Sequence, residues 1–168
     1  GWSPAFRREW EEFYGEPWQP PDSSVEACYR AAALKKELYR RCLERVCGFV
    51  RQQKPDWECI VATHSLINYA NWGIASPESA LATIPTCDTV IAQVWSDTIL
   101  TPCLYDGRRA SRPFANAYLE FAQMVAMITP TGMSLAFLAD PVADNARLDW
   151  QTCRRSYEDT VAAGLLWA

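Results

Sequence analysis

Asp140 ends the apolar run SLAFLA (134–139) and is followed by Pro141, so its carboxylate stands where a strand should break. Two earlier runs end in the same style. IVATHSL runs into NYANW and gathers His64, Asn68, Asn71 and Trp72, while TVIAQVW carries Gln93 and Trp95 and is followed by Asp97. Beyond Asp140, the stretch PVADN adds Asp144 and Asn145. A carboxylate in such a place can move a proton or attack an electrophilic carbon. A histidine titrates near neutrality, and the amides of Asn and Gln exchange hydrogen bonds with hydroxyls. An indole adds a flat apolar face. Together these side chains suit a ring that is apolar on one face and rich in hydroxyls at its rim.

Each residue also has a plainer use. His64, the one histidine of the chain, could be a hydrogen-bonded core residue. Asn68 and Asn71 could be turn residues, and Asp97 could cap the loop after its strand. Asp140 could close an Asx-type turn, and Asp144 with Asn145 could cap the helix that follows. Tryptophan is the residue that tips the balance, at eight in 168. Trp10, Trp150 and Trp167 fall at helical positions and read as core. Trp18, Trp72 and Trp95 fall in loops or at strand ends, where an indole beside amides and carboxylates favours a carbohydrate ligand.

The elements that must position these groups alternate along the chain. Ser3-Pro4 starts a helix over 4–14, with Phe6, Trp10 and Phe13 at helical spacing. After the proline-dense loop GEPWQPPDSS, a long helix is predicted over 23–52. Ser23 and Glu26 have the form of a capping box there. At ~1.5 Å per residue that helix is ~45 Å long, longer than a strand it would pack on, so an end should protrude or bend. Strands follow at about 58–66, 89–95 and 133–139, short apolar runs that read as buried parallel strands. Helices at about 76–83, 112–128 and 149–165 alternate with them. The fifteen residues DTILTPCLYDGRRAS after the second strand read as a long, functional βα loop. Such alternation predicts an α/β fold with a parallel sheet. In these folds ligands meet the protein at the C-terminal ends of the strands.

Three strands are few for so many helices, and a further strand is expected after GLLWA. The expected architecture is therefore a single α/β unit forming about half of a larger (β/α)8 (TIM) barrel. A small open three-layer α/β domain is the competing arrangement. GxGxxG, GxxxxGK[ST] and GxSxG are all absent, so dinucleotide, P-loop and serine-hydrolase readings lack their motifs.

Bulk properties narrow the partners. A net charge of −4 and a pI near 5.0 argue against a nucleic-acid footprint. The basic group Lys35, Lys36, Arg40 and Arg41 alternates with apolar positions and reads as a solvated helix face. No segment approaches the ~20 apolar residues of a membrane span, and GWSPAFRREW lacks the pattern of a signal peptide. Seven cysteines without a Cys-x-x-Cys pair read as free thiols in a reducing, cytoplasmic compartment. One histidine and scattered cysteines do not supply a zinc site, and no cofactor is expected.

The strings WEEFYGEPWQPP (10–21), THSLINY (63–69), IAQVWSDT (91–98) and FLADPVADN (137–145) resemble part of a bacterial glycoside-hydrolase-like barrel, of the broad clan of (β/α)8 glycosidases. The resemblance spans most of the chain. It implies hydrolysis of O-glycosidic bonds by carboxylates at strand C-terminal ends, with Asp140 as the catalytic carboxylate. His64, Asn68, Asn71, Trp72, Gln93, Trp95, Asp97, Asp144 and Asn145 would then bind substrate. In that clan the acid/base is a glutamate after the fourth strand and the nucleophile a glutamate ending the seventh. If the strands here are the fifth, sixth and seventh, the acid/base lies before Gly1. The seventh ends in aspartate, one methylene shorter, which departs from the ~5–5.5 Å carboxylate spacing of retaining enzymes. The 168 residues alone are expected to be inactive, and to associate with themselves or with the rest of the barrel through unpaired sheet edges. A non-catalytic carbohydrate-binding barrel and a small α/β protein-interaction module are the alternatives.

Overall fold

The structure is a computed structural model that describes residues 2–64, 73, 80–95, 99–140 and 146–167. Helix α1 spans Pro4–Tyr14. The Ser3 hydroxyl accepts the Phe6 N–H at 3.1 Å, Pro4 occupies the first turn, and Gly15 ends the helix in the left-handed region at φ 66°.

Helix α2 spans Val25–Gln53 and is capped by Ser24, whose hydroxyl accepts the Ala27 N–H at 3.0 Å. The Ser23–Glu26 box does not form. Ser23 instead closes a turn of the proline-rich loop, donating from its hydroxyl to the Pro20 carbonyl at 2.6 Å. The length of α2 is used by two different packing partners. Its N-terminal half buries Ala31 and Leu34 against Trp10 in an aromatic cluster with Trp2, Phe6, Tyr14 and Trp18. Its C-terminal half lays Leu43, Cys47 and Val50 on the sheet. Trp18 stands 5.2 Å from Trp10, edge to face, and is therefore packing rather than an open platform.

The basic stretch of α2 is not merely solvated. Arg40 and Arg41 both bind Glu37, and Arg40 also reaches Glu44. Hydrogen bonding from Arg40 holds the Glu37 carboxyl down to about 2, against the opposing effect of burial and with help from Arg41.

Three parallel strands follow: β1 (Ile60–His64), β2 (Thr89–Val94) and β5 (Ser134–Ala139), in the order β1-β2-β5. β1 is shorter than expected, and residues 65–66 lie outside the described residues, as does the start of the helix expected at 76–83. That helix ends at Leu81, with a turn at Ala82 and Thr83. The register aligns Ile60, Thr89 and Ser134 at one end and His64, Gln93 and Leu138 at the other.

Alternation then sorts the side chains by face. Val61, Thr63, Val90, Ala92, Val94, Leu135 and Phe137 point to one side. There they meet Cys47 of α2, Leu81 and Ile84, Met124 and Ile128 of α3 (Pro113–Ile128), and Ala163 of α4 (Trp150–Gly164). On the opposite face Ile60 is 53% and Leu138 49% exposed. Among the described residues the sheet is therefore helix-covered on one side only, where the apolar runs predict burial on both.

The segment between β2 and α3 is not a plain loop. Cys103–Tyr105 (β3) and Arg108–Ala110 (β4) pair antiparallel. Asp106 and Gly107 turn between them at φ 47° and 73°, the left-handed pair that a two-residue hairpin requires. Asn116 of α3 anchors the stem, donating from Nδ2 to the Ile99 carbonyl at 2.9 Å. All seven cysteines are unpaired; Cys47, Cys59, Cys87 and Cys153 are buried, whereas Cys28 and Cys42 are exposed on α2. Among the described residues no helix is long and apolar enough to cross a membrane.

Candidate functional site

The open face of the sheet carries Ile60, Ala62 and His64 from β1, Thr89, Ile91 and Gln93 from β2 with Trp95 just beyond, and Ser134, Ala136 and Leu138 from β5 followed by Asp140. Polar groups other than the Thr89–Ser134 row gather at the C-terminal end. His64 lies directly across from Gln93 in the register, and Gln93 across from Leu138. Asp140 continues the β5 ladder by one residue, its N–H donating to the Val94 carbonyl at 3.3 Å. A two-residue period therefore returns the Asp140 side chain to the face of Leu138, beside Gln93.

The side chains meet there. Gln93 Nε2 donates to Asp140 Oδ2 at 2.5 Å. The His64 ring approaches Trp95 edge-on, with centroids 6.4 Å apart and planes at 66°. Ile99 N–H donates to the Trp95 carbonyl at 3.1 Å. Burial pushes the His64 pKa below 6.5, and the Asp140 charge offsets part of that shift. The imidazole is therefore neutral at pH 7, with one nitrogen able to donate and the other to accept. Asp140 has one oxygen engaged by a neutral amide. Among the described residues no arginine or lysine forms an ion pair with it.

The structure thus brings together His64, Gln93, Trp95 and Asp140. Asn68, Asn71, Trp72, Asp97, Asp144 and Asn145 lie outside the described residues. One residue that sequence reasoning set aside makes long-range contacts away from this group. Lys35 of α2 donates to the Gly73 carbonyl at 3.1 Å and lies 4.8 Å from the centroid of the Trp2 ring. Desolvation lowers its pKa. It ties Gly73 to the aromatic cluster, and its position on a helix rich in Lys and Arg hid it. Among the described residues no group of three or more His, Cys, Asp or Glu has the arrangement of a metal site.

The arrangement offers a carboxylate of fixed rotamer, a neutral imidazole and an indole edge on one open surface. Such a set can grip a polyol through paired hydrogen bonds while an apolar face packs on the ring. Compared with known protein families, with curated proteins and with solved structures, the chain finds no match.

Proposed function

We propose that this chain forms part of a (β/α)8 barrel that binds a carbohydrate at its strand C-terminal ends and hydrolyses an O-glycosidic bond there. The barrel reading is supported by the sidedness of the sheet. Among the described residues the parallel strand order does not reverse and the helices packed on the sheet share one face, which is how a barrel is wound. Doubly wound sheets reverse their order and carry helices on both faces. In a barrel the open face is the interior, and the remaining strands cover Ile60, Ile91 and Leu138. The observation that carries the functional reading is the Gln93–Asp140 hydrogen bond on that face, with His64 and Trp95 beside it.

In this reading Gln93 fixes the Asp140 rotamer through one oxygen and leaves the other directed at the ligand. Asp140 is the carboxylate that meets the reacting sugar. His64 and Gln93 hold hydroxyls, Trp95 borders the ring, and the second carboxylate comes from outside these 168 residues. Asn68, Asn71, Trp72, Asp97, Asp144 and Asn145 complete the rim as substrate-binding residues.

Titration of the chain with a panel of neutral oligosaccharides, followed by indole fluorescence, tests the binding half. Trp95→Ala and Asp140→Asn should each weaken the best ligand about tenfold or more, the scale of one lost charge-assisted hydrogen bond or ring contact. The reading fails if no saccharide binds. In the intact barrel Asp140→Asn should abolish turnover; the 168-residue chain alone should show none. Light scattering should find the isolated chain self-associated through its open face and strand edges, and a stable monomer would count against the barrel.

The alternative of a carbohydrate-binding barrel without hydrolysis shares the same ligand site. It predicts binding that Asp140→Asn weakens and no turnover in the intact protein.

A further inference from the structure

The hairpin β3–β4 follows β2 in the chain, and everything from Leu104 to Arg109 on it is exposed. Leu104 is 75% and Tyr105 57% exposed, unusual for apolar side chains on a two-stranded ribbon. The register sets Tyr105 opposite Arg108 and Leu104 opposite Arg109. Directly opposed residues share a face, so Tyr105 has Arg108 beside it across the strands. On its other flank the Arg112 guanidinium lies 3.8 Å from the ring centroid. Two arginines, Arg108 and Arg112, thus flank one exposed tyrosine in a chain whose net charge is −4, while Arg109 shares the other face of the ribbon with Leu104. Asp159 of α4 shares a groove with Arg112. Among the described residues Arg108 and Arg109 have no carboxylate partner.

Resting on the carbohydrate reading above, we propose that this hairpin is an outer subsite for acidic sugars, so that the substrate class is a uronic-acid polysaccharide. Guanidinium groups match the planar carboxylate of a uronate in a two-pronged geometry. Tyr105 supplies apolar area for the ring beside Arg108. The reach is short: Tyr105 is six residues from Ile99, at most ~22 Å of extended chain, and Ile99 is hydrogen-bonded to Trp95. In this proposal an oligosaccharide seated at Asp140 reaches the hairpin with its outer residues. The chemistry is also divided sensibly. Acidic groups lie where bond cleavage needs them, and the cations lie outside, where they attract an anionic chain without neutralising Asp140. A nucleic acid is the less suitable polyanion, because the hairpin offers only a small basic patch on a protein of net charge −4.

The test uses hexauronates (galacturonate, mannuronate and glucuronate) beside their methyl esters, which keep the shape and lose the charge. Binding is measured at low and at high salt, with polyglutamate as a polyanion that is not a sugar. At least one acid should bind about fivefold to tenfold tighter than its ester at low salt, as expected of two exposed charge pairs. The preference should shrink at high salt and vanish in the double variant Arg108→Gln/Arg112→Gln, with ester binding retained. Equal binding of acids and esters, an unchanged preference in the double variant, or equally tight binding of polyglutamate overturns the inference. Ester binding distinguishes this failure from that of the underlying reading. Esters that bind and are weakened by Trp95→Ala keep the carbohydrate site even if the hairpin proposal falls. Binding of no oligosaccharide, or indifference of all of them to Trp95→Ala, overturns both. Circular dichroism checks that the variants retain the fold.

Discussion

Asp88 and Asp140 stand at opposite ends of the same sheet and are held in opposite ways. Asp88, just before β2, takes the Arg51 guanidinium and the Cys59 N–H, the latter at 2.8 Å, on one oxygen. Arg51 also donates to the Pro55 carbonyl at 2.9 Å. These ties join the end of α2, the loop after it and the starts of β1 and β2. Asp140, just after β5, takes a neutral amide from Gln93 and faces a neutral imidazole. One carboxylate is matched by a cation and a backbone donor from its own chain. The other is fixed in rotamer, with its charge left for something else to meet. The first arrangement serves folding, and the second is what a ligand site needs.

The sharpest way to break this comparison is stability. Asp88→Ala leaves the N–H of buried Cys59 without its acceptor and Arg51 without its partner, and should cost about 2–3 kcal/mol in urea unfolding. Asp140→Asn should change stability by less than about 0.5 kcal/mol, because an amide can replace the carboxylate next to Gln93 after a side-chain flip. Equal costs at the two positions would mean that Asp140 is as structural as Asp88.

Arg51→Ala separates the two ties on Asp88 and should have a smaller effect. The pair is partly exposed, with side chains at 32% and 38%, and the Cys59 N–H keeps its acceptor. A loss of about 1 kcal/mol is expected, at the upper end for surface pairs. A loss as large as that of Asp88→Ala would place the stabilisation in the ion pair rather than in the backbone hydrogen bond.

The two aspartates also differ in how far the sequence exposes them. Asp140 is legible because an apolar run breaks at it and a proline follows. The same signal locates His64, Gln93 and Trp95, since short β-branched runs alternating with helical periods mark parallel strands and their ends. Asp88 gives no such signal. Its role depends on Arg51, thirty-seven positions away, and no local pattern encodes a pairing at that range. The hairpin was missed for a different reason. Asp106-Gly107 is a strong turn signal, but CLY and RRA are too short to show alternation. The uncovered sheet face was hidden because Ile60, Ile91 and Leu138 are apolar whether a helix or the inside of a barrel is to cover them. Sequence periodicity reports that a face avoids water, not what is expected to shield it.

The finest test follows the charge of Asp140 through His64. The chain has one histidine, so its ring protons give one titrating set of NMR signals. Burial lowers the His64 pKa from 6.5 in the folded protein, and the Asp140 charge raises it part of the way back. On acidification the unfolded chain therefore takes up this proton first. The His64 contribution to stability falls as the pH drops below about 6.5 and levels off below the folded pKa. Asp140→Asn removes the opposing charge, so the His64 midpoint should move further down and the acid loss should extend to lower pH. Asp88→Asn, at the far end of the sheet, should leave the midpoint where it is. If Asp88→Asn moves it as much as Asp140→Asn, the imidazole is sensing the overall charge of the protein, and the pairing of His64 with Asp140 on the open face loses its electrostatic support.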